Sequence, residues 1–333
     1  MQVREIDVHD DDEVARWWEV ARSADAHGRD YAAYWSLRAA MVALRAENSP
    51  FRQQPIAAFD RAGMVGVDKL MLPLADNTHM AFVAPMVLPE HRRRGVGSAL
   101  LETSLDMARV AGRTTAVTEV NLPLDPEAES AGLTFTRRHG FELGILDIHR
   151  VLDLPVSDRR LDELTAAAAP HHHAFRLSTW IDAVPEEYMD GFCELQIAFN
   201  SEAPMGELEL ENEVWDAERV RSTEERFRKQ GRHEVSTVAI ASDGTLVGLT
   251  QLMTTEENRA VAWQGGTLVL KSARGHRLGI AMKAQNLRRF QPLFPDSTVV
   301  HSWNAEENGP MVAINETLGF RPVERLAEMQ KKL

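Results

Sequence analysis

The chain has 333 residues, 44% of them apolar and 26% charged, and a formal net charge of −13. That length exceeds one hydrophobic core and predicts two domains of a soluble globular protein. The acidic balance argues against a general nucleic-acid binder, which needs a basic field, and no apolar run of about 18 residues is present to span a membrane. An acidic surface suits a cationic partner such as an amine. The opening Met1-Gln2-Val3-Arg4-Glu5 has no basic stretch followed by an apolar one, so no signal peptide is expected. Cys193 is the only cysteine, which excludes an internal disulfide and fits a reducing cytoplasm. Its neighbours Phe192, Leu195 and Ile197 mark it as a buried thiol rather than a nucleophile.

Acidic residues 10–12 precede Val14, Trp17, Trp18 and Ala21 at helical spacing. A second helix is predicted over 34–46, ahead of Asn48-Ser49-Pro50. Strands follow at 56–59 and 64–72, joined by a turn at Arg61-Ala62-Gly63. The run 80–88 is almost wholly apolar, as in a strand buried on both faces. Leu101, Leu105 and Ala108 predict a helix over 96–111 that Gly112 stops. A strand at 115–120, a helix near 130–139 and a strand at 141–152 complete the first half.

Residues 154–174 read as a linker, with Pro155, an alanine run, Pro170 and the adjacent His171, His172 and His173. Adjacent histidines do not converge on one ion without an unusual loop, so no metal is expected. The second half repeats the first: a strand at 175–180, helices at 186–199 and 216–230, strands at 235–241, 246–253 and 260–270, a helix at 278–290, a strand at 298–303, a helix at 310–318 and a last strand at 320–328. The offset is about 180 residues, an internal duplication. The expected domains are 1–153 and 175–333.

Val87 and Leu88 end the apolar run of the first half, and Arg92-Arg93-Arg94-Gly95-Val96-Gly97-Ser98 lead into the helix. The first turn of a helix exposes unpaired N–H groups at the positive end of its dipole, which suits a pyrophosphate. Glycine permits close approach and the arginines add charge. No G-x-x-x-x-G-K-[ST] loop is present, and Leu100 breaks a dinucleotide fingerprint. In the second half Val269 precedes Arg274-Gly275-His276-Arg277-Leu278-Gly279-Ile280-Ala281. There Gly279 is matched to Gly95 and Ala281 to Gly97.

With these two turns the chain resembles the GCN5-related N-acetyltransferase (GNAT) superfamily. The pattern [QR]-x-x-G-x-[GA] reads Arg92-x-x-Gly95-x-Gly97 and His276-x-x-Gly279-x-Ala281, and a helix ending in Gly-Phe occurs at Gly140-Phe141 and Gly319-Phe320. The stretch from Trp303 to Asn315 is similar to the C-terminal half of tandem members from actinobacteria. The resemblance implies an α/β fold of two tandem GNAT-like domains. Each is a mixed, mostly antiparallel twisted sheet flanked by helices, with a splayed central strand pair. Pro85 and Gly265-Gly266 would weaken the ladder at the splay. It also implies an acyl-CoA-dependent N-acyltransferase, with acetyl-CoA as donor, no metal and a small-molecule primary amine as acceptor. The protein would be a monomer or homodimer in the cytoplasm. A protein or peptide N-acetyltransferase and a non-catalytic CoA-binding scaffold are the alternatives.

Attack on a thioester needs a neutral amine, and an alkylamine has a pKa of about 10.4, so a base is required. Glu209, in the acidic link 205–211, Glu306, after the strand beside the cofactor gap, and Glu119 are the candidates. The link and the fuller late motif favour the second half as catalytic, while the first has the better pyrophosphate turn. Backbone N–H groups near Val87 and Val269 are the expected oxyanion donors. Many family members carry a tyrosine near the sulfur, four residues before the Gly-Phe glycine; Thr136 and Asn315 stand there instead. Asn315 is expected to hydrogen-bond the cofactor. Asn308 is a candidate for cofactor contact too, but before Gly309-Pro310 it reads first as a helix cap.

Overall fold

The structure, a computed structural model, describes residues 1–47, 49–61, 63–202 and 206–333. Asn48, Ala62 and Met205, parts of the expected turns and link, lie outside the described residues. In chain order the first eleven elements are β1 (Gln2–Glu5), α1 (Asp11–Ala26), α2 (Leu37–Leu44), β2 (Phe51–Asp60), β3 (Gly63–Pro73), β4 (Met80–Phe82), β5 (Met86–Val87), α3 (Val96–Val110), β6 (Thr115–Pro123), α4 (Ala131–Arg138) and β7 (Glu142–Asp153). Then come α5 (Asp158–Ala168), β8 (Arg176–Ile181), α6 (Met189–Glu202), α7 (Ala217–Lys229), β9 (Arg232–Ile240), β10 (Leu246–Thr255), β11 (Val261–Val269), α8 (Leu278–Leu293), β12 (Val299–Ala305), α9 (Gly309–Leu318) and β13 (Arg321–Lys332). Side-chain oxygens fix several starts: Asp10, Ser36, Ser130, Ser157 and Asp216 each accept an N–H from the first turn of the helix that follows. None of the helices described is long and apolar enough to cross a membrane.

Two compact units form. Unit 1 contains Met1–Asp147, Met205–Glu211 and Arg325–Leu333; unit 2 contains Ile148–Pro204 and Asn212–Glu324. In unit 1, β1, β2 and β3 pair antiparallel and β4 runs parallel to β6. The core lies between this sheet and α3, around Ile56, Leu70, Leu72, Leu100 and Leu101. On the other face Val14, Trp17 and Ala21 of α1 pack on Ala57, Met64 and Val67, and the Trp17 indole donates to the Ile56 carbonyl at 3.1 Å. Unit 2 repeats the plan: β8, β9, β10 and β11 pair antiparallel and β11 runs parallel to β12. There Leu287 and Phe290 of α8 and Val220 of α7 enter two separate cores.

Two expectations are corrected. The stretch 154–174 contains α5, whose buried Leu161, Leu164 and Ala168 form one helical face; Leu161 and Leu164 join the Leu287–Phe290 core. The alanine run hid this face, because only two large apolar residues mark it. The closing strands are also exchanged between the units. The residues of β13 from Arg325 onward lie beside β6 in unit 1, and those of β7 from Ile148 onward lie beside β12 in unit 2. Leu333 donates to the Thr114 carbonyl at 2.9 Å, and Leu154 to Thr298 at 2.8 Å. Both strands have twelve residues and each follows a helix that ends in Gly-Phe, so these local features do not choose between the two ladders. Deleting Arg325–Leu333 therefore strips the ladder from β6 and should abolish the cooperative unfolding of unit 1. Hydrogen exchange of the 115–123 amides will measure this; native protection in the truncated protein contradicts the exchange.

Candidate functional site

Each unit opens a gap at the middle of its sheet. In unit 1, β4 follows β6 from Met80 to Phe82, and Val83 makes one more bond to Val117 at 2.9 Å. The chain then leaves β6 at Ala84-Pro85 and continues as β5, paired instead with Gly66 and Val67 of β3. The expected single strand over 80–88 is thus two, because proline has no N–H to continue the ladder. Asp68 fills the break: its carboxylate accepts the Ala84 N–H at 2.7 Å and the Ser104 hydroxyl at 2.7 Å. Complete burial pushes its pKa up to about 6 despite these bonds. In unit 2 the last pairing of β11 with β12 is Trp263 with His301. A bulge at Gln264-Gly265-Gly266 then breaks the register with β10, and the Gln264 amide donates to the Gln251 carbonyl at 2.6 Å.

At the end of each gap a strand meets a helix through a turn. The Leu88 N–H bonds Val65 at 3.1 Å, so the Val87 N–H and carbonyl face away from β3, into the gap. Arg92 caps that carbonyl through Nε at 2.9 Å. Arg93 and Gly95 take positive φ, 61° and 82°, and Gly95 caps α3. The first helical bond runs from Ala99 to Gly95, leaving the N–H groups of Val96, Gly97 and Ser98 without helical partners. A Cβ on Gly95 would meet nothing within 4 Å, so the turn is an open cradle, and Arg93 and Arg94 are exposed beside it. The Ser98 hydroxyl is 3.0 Å from His139 Nε2, at the Gly140-Phe141 end of α4.

Unit 2 reproduces this geometry in a different register from the expected one. Arg274 caps the Val269 carbonyl at 3.1 Å, Gly275 and Arg277 have φ of 85° and 53°, and Arg277 caps α8. The first helical bond runs from Ala281 to Arg277. Arg274 therefore corresponds to Arg92, Arg277 to Gly95 and Gly279 to Gly97. The match of His276 to Arg92, Gly279 to Gly95 and Ala281 to Gly97 is two residues out. It followed the glycine, whereas an arginine holds the left-handed position that glycine usually fills. Leu278, Gly279 and Ile280 supply the free first-turn amides, and Ala281 is already inside the helix. The side chains of this turn are engaged. Arg274 pairs with Glu202 at 2.6 Å, Arg277 donates to the Ala167 carbonyl at 3.2 Å, and His276 Nδ1 is 3.0 Å from the His171 carbonyl.

The acid–base candidates separate. Glu209 is not at a site of unit 2: it belongs to unit 1, where Lys332 pairs with it and holds its pKa low. Glu306 is exposed in the turn after β12. Asn308 caps α9, accepting the Met311 N–H at 3.4 Å. Thr136 spends its hydroxyl on the Gly132 and Leu133 carbonyls of its own helix. Glu119, on β6 beyond its last pairing with β4, is open to solvent, yet its surroundings raise its pKa. Desolvation is the main cause, opposed by Lys69 and reinforced by Asp25. Glu328 of β13 stands near it, raised to about 7 by burial and by the charges of Glu119 and Asp147. In unit 2 the register places Trp303 where unit 1 has Glu119. Trp303 stacks on His149 at 4.3 Å, and His149 Nε2 lies 2.8 Å from His301 Nδ1. Asn315 is fully buried and accepts from Lys283 Nζ at 2.8 Å. Asp68, Lys283, Glu328 and His149 escaped the sequence reading. Their signal was an ionisable residue set within an apolar strand or helix.

Residues 54–143 match the family model of the acetyltransferase (GNAT) domain. The chain carries a GNAT domain. A tandem GNAT protein from the clavulanic acid biosynthesis pathway, solved without AcCoA, superposes with a TM-score of 0.79 at 26% identity, covering 99% of this chain and 98% of that one. A GCN5-related N-acetyltransferase from Sphaerobacter thermophilus superposes with a TM-score of 0.66 at 15% identity, covering 99% and 95%. No curated protein matches the sequence. The chain thus has the tandem GNAT fold, whose chemistry is acyl transfer. GNAT enzymes generally draw on acetyl-CoA and act on amines of small molecules or peptides. Among the described residues no cluster of three or more His, Cys, Asp or Glu could hold a metal ion.

Asp68 makes stability depend on pH. Its folded pKa is raised, so its contribution is fully present below about pH 4 and is lost as pH rises through about 6. Asp68→Asn keeps an oxygen for Ala84 and stays neutral. Its stability relative to wild type should therefore rise by on the order of 3 kcal/mol between about pH 4 and pH 7.5, read from urea unfolding. A pH-independent difference would rule this out.

Proposed function

We propose that the protein is an acyl-CoA-dependent N-acyltransferase, with acetyl-CoA as donor and a small-molecule primary amine as acceptor, and that unit 1 carries the reaction. The observation that carries this reading is the alignment in one unit of an open, arginine-flanked cradle, a strand gap and a carboxylate of raised pKa across the gap. The diphosphate of the donor would rest on the amides of Val96, Gly97 and Ser98, with Arg93 and Arg94 beside it. The Val87 N–H, turned into the gap, is positioned to stabilise the thioester oxygen as it gains charge. Glu119 would take the proton from the ammonium of the acceptor. A carboxylate of raised pKa is the stronger base, and Glu328, Asp147 and Asp25 draw a cation towards it. The amine then attacks the thioester carbon, the carbon–sulfur bond breaks, the nitrogen gives its surplus proton to solvent as the amide forms, and CoA leaves as a thiolate that collects a proton from solvent.

Glu119→Gln should lower kcat/KM by about 100-fold or more, measured as thiol release from acetyl-CoA across an amine panel. In wild type the rate should fall as acid protonates Glu119, and that limb should vanish in the variant. An unchanged rate and pH profile would remove Glu119 from the mechanism. Arg93→Glu with Arg94→Glu should weaken CoA binding by about tenfold or more in calorimetry with no change in Tm, because both side chains are exposed. Equal affinity would mean that the cradle is not the donor site. Thiol release with no amine acylated would favour a binding protein over a transferase.

A further inference from the structure

We propose that Lys69 of unit 1 decides which acceptor is used, by binding the carboxylate of an amino acid whose ammonium is held by Glu119. The proposal rests on the N-acyltransferase reading of unit 1. It narrows the acceptor from a primary amine to an amine that carries its own carboxylate.

The strand register places the two side chains. Met71 of β3 pairs with Phe82 of β4, and Phe82 pairs with Val117 of β6. β4 runs antiparallel to β3 and parallel to β6, so two residues further along Lys69, Ala84 and Glu119 stand level. Ala84 is where the chain leaves β6 and the gap opens. Side chains alternate between the faces of a strand. Lys69 therefore shares the face of Val67, which packs with Val14 and Trp17 of α1. Val120 belongs to the core on the other face, with Leu100 and Leu101 of α3, so its neighbour Glu119 points to the same face as Lys69. A cation and a carboxylate thus flank the gap on one face, from strands about 10 Å apart.

Neither group is engaged. Lys69 is half-buried and Glu119 is open to solvent. Among the described residues neither side chain makes a hydrogen bond or an ion pair, with the other or with any neighbour. They do lie in each other's field. Burial lowers the pKa of Lys69 while the charges of Glu119 and Asp68 oppose this, and Lys69 opposes the rise at Glu119. An ammonium withdrawn from water without a partner is costly, and a ligand carboxylate that pairs with it offsets that cost. The other charges near Glu119 are acids: Asp25, bonded to Arg29 at 2.6 Å, and Glu328, itself influenced by Asp147. They favour an ammonium, so the carboxylate end of the acceptor falls to Lys69. An α-amino acid carries both groups on one carbon, which suits a cation and an anion set apart on one face. A monoamine would leave Lys69 unpaired, and a diamine would bring a second ammonium against it.

The fold does not require this pair. The offset that relates Arg92 to Arg274 relates Lys69 to Gln251, whose amide donates to Glu234 at 2.6 Å. Trp303 stands for Glu119. Two sheets of one plan are therefore built with both charges and with neither.

The test compares α-amino acids with the carboxamides of the same amino acids as acceptors, by thiol release from acetyl-CoA and the mass of the product. Lys69→Gln should lower the ratio of kcat/KM for acid over carboxamide by about tenfold or more, mainly through KM for the acid. Any change in the basicity of Glu119 on losing Lys69 acts on both acceptors and cancels in this ratio. Lys69→Arg should keep most of the preference, and Lys69→Met gives the same reading should the glutamine variant fail to fold. The proposal is overturned if the wild-type protein acylates carboxamides or plain amines but no amino acid, or if loss of the lysine lowers both rates by one factor. Acylation of no amine of any kind would instead overturn the transferase reading, and this proposal with it.

Discussion

The constraint on which both sites depend is that a buried strand cannot leave its ladder without something replacing the lost backbone hydrogen bonds. An unsatisfied buried group costs about 1–3 kcal/mol, and a gap wide enough for a ligand would expose several such groups. Unit 1 meets this with a carboxylate: Asp68 takes the Ala84 N–H where β4 gives way to β5. Unit 2 uses a neutral amide, with Gln264 folded back into its own bulge to reach Gln251. The gap, the inward-facing amides of Val87 and Val269 and the turn beyond follow from these two repairs. Their difference matters as well, because a carboxylate resists burial when ionised and an amide does not.

Duplication preserved the frame and not its polar contents. The strand-capping arginine, the paired left-handed residues and the free first turn of the helix occur in both units at one spacing. Within that frame Glu119 corresponds to Trp303, Leu101 to Lys283 and Thr136 to Asn315. In unit 1 the changes leave a carboxylate among other acids and a cradle flanked by the exposed Arg93 and Arg94. In unit 2 they leave a buried lysine bonded to an asparagine, and turn side chains already held by Glu202, Ala167 and His171. Such a pattern suits two units that share a fold and differ in what they do with a ligand.

Exchange of the closing strands ties each unit to the other half of the sequence. Glu328 reaches the neighbourhood of Glu119 only because β13 closes unit 1, and Lys332 on the same strand occupies Glu209. A carboxylate locked to an ammonium is a poor base, whereas one crowded by other carboxylates is a better one. The exchange therefore leaves one acid of unit 1 paired with an ammonium and another crowded by carboxylates.

The sequence alone determined what is local. The repeat, the strand–turn–helix passages at Arg92 and Arg274, the acidic start at residues 10–12, the cap at Asn308 and the stop at Gly112 depend on residues a few positions apart, whose backbone preferences and periodicity can be read directly. Tertiary structure decided what is not local. The two closing strands are equally long and follow the same Gly-Phe signal, so local features did not reveal the exchange. The glycine of the second turn drew the register two residues off until the positive φ of Arg277 fixed it. The surroundings of Asp68 and Lys283 were also out of reach. A charge in an apolar run is visible in sequence, but its partner comes from another element, and only packing brings the two together.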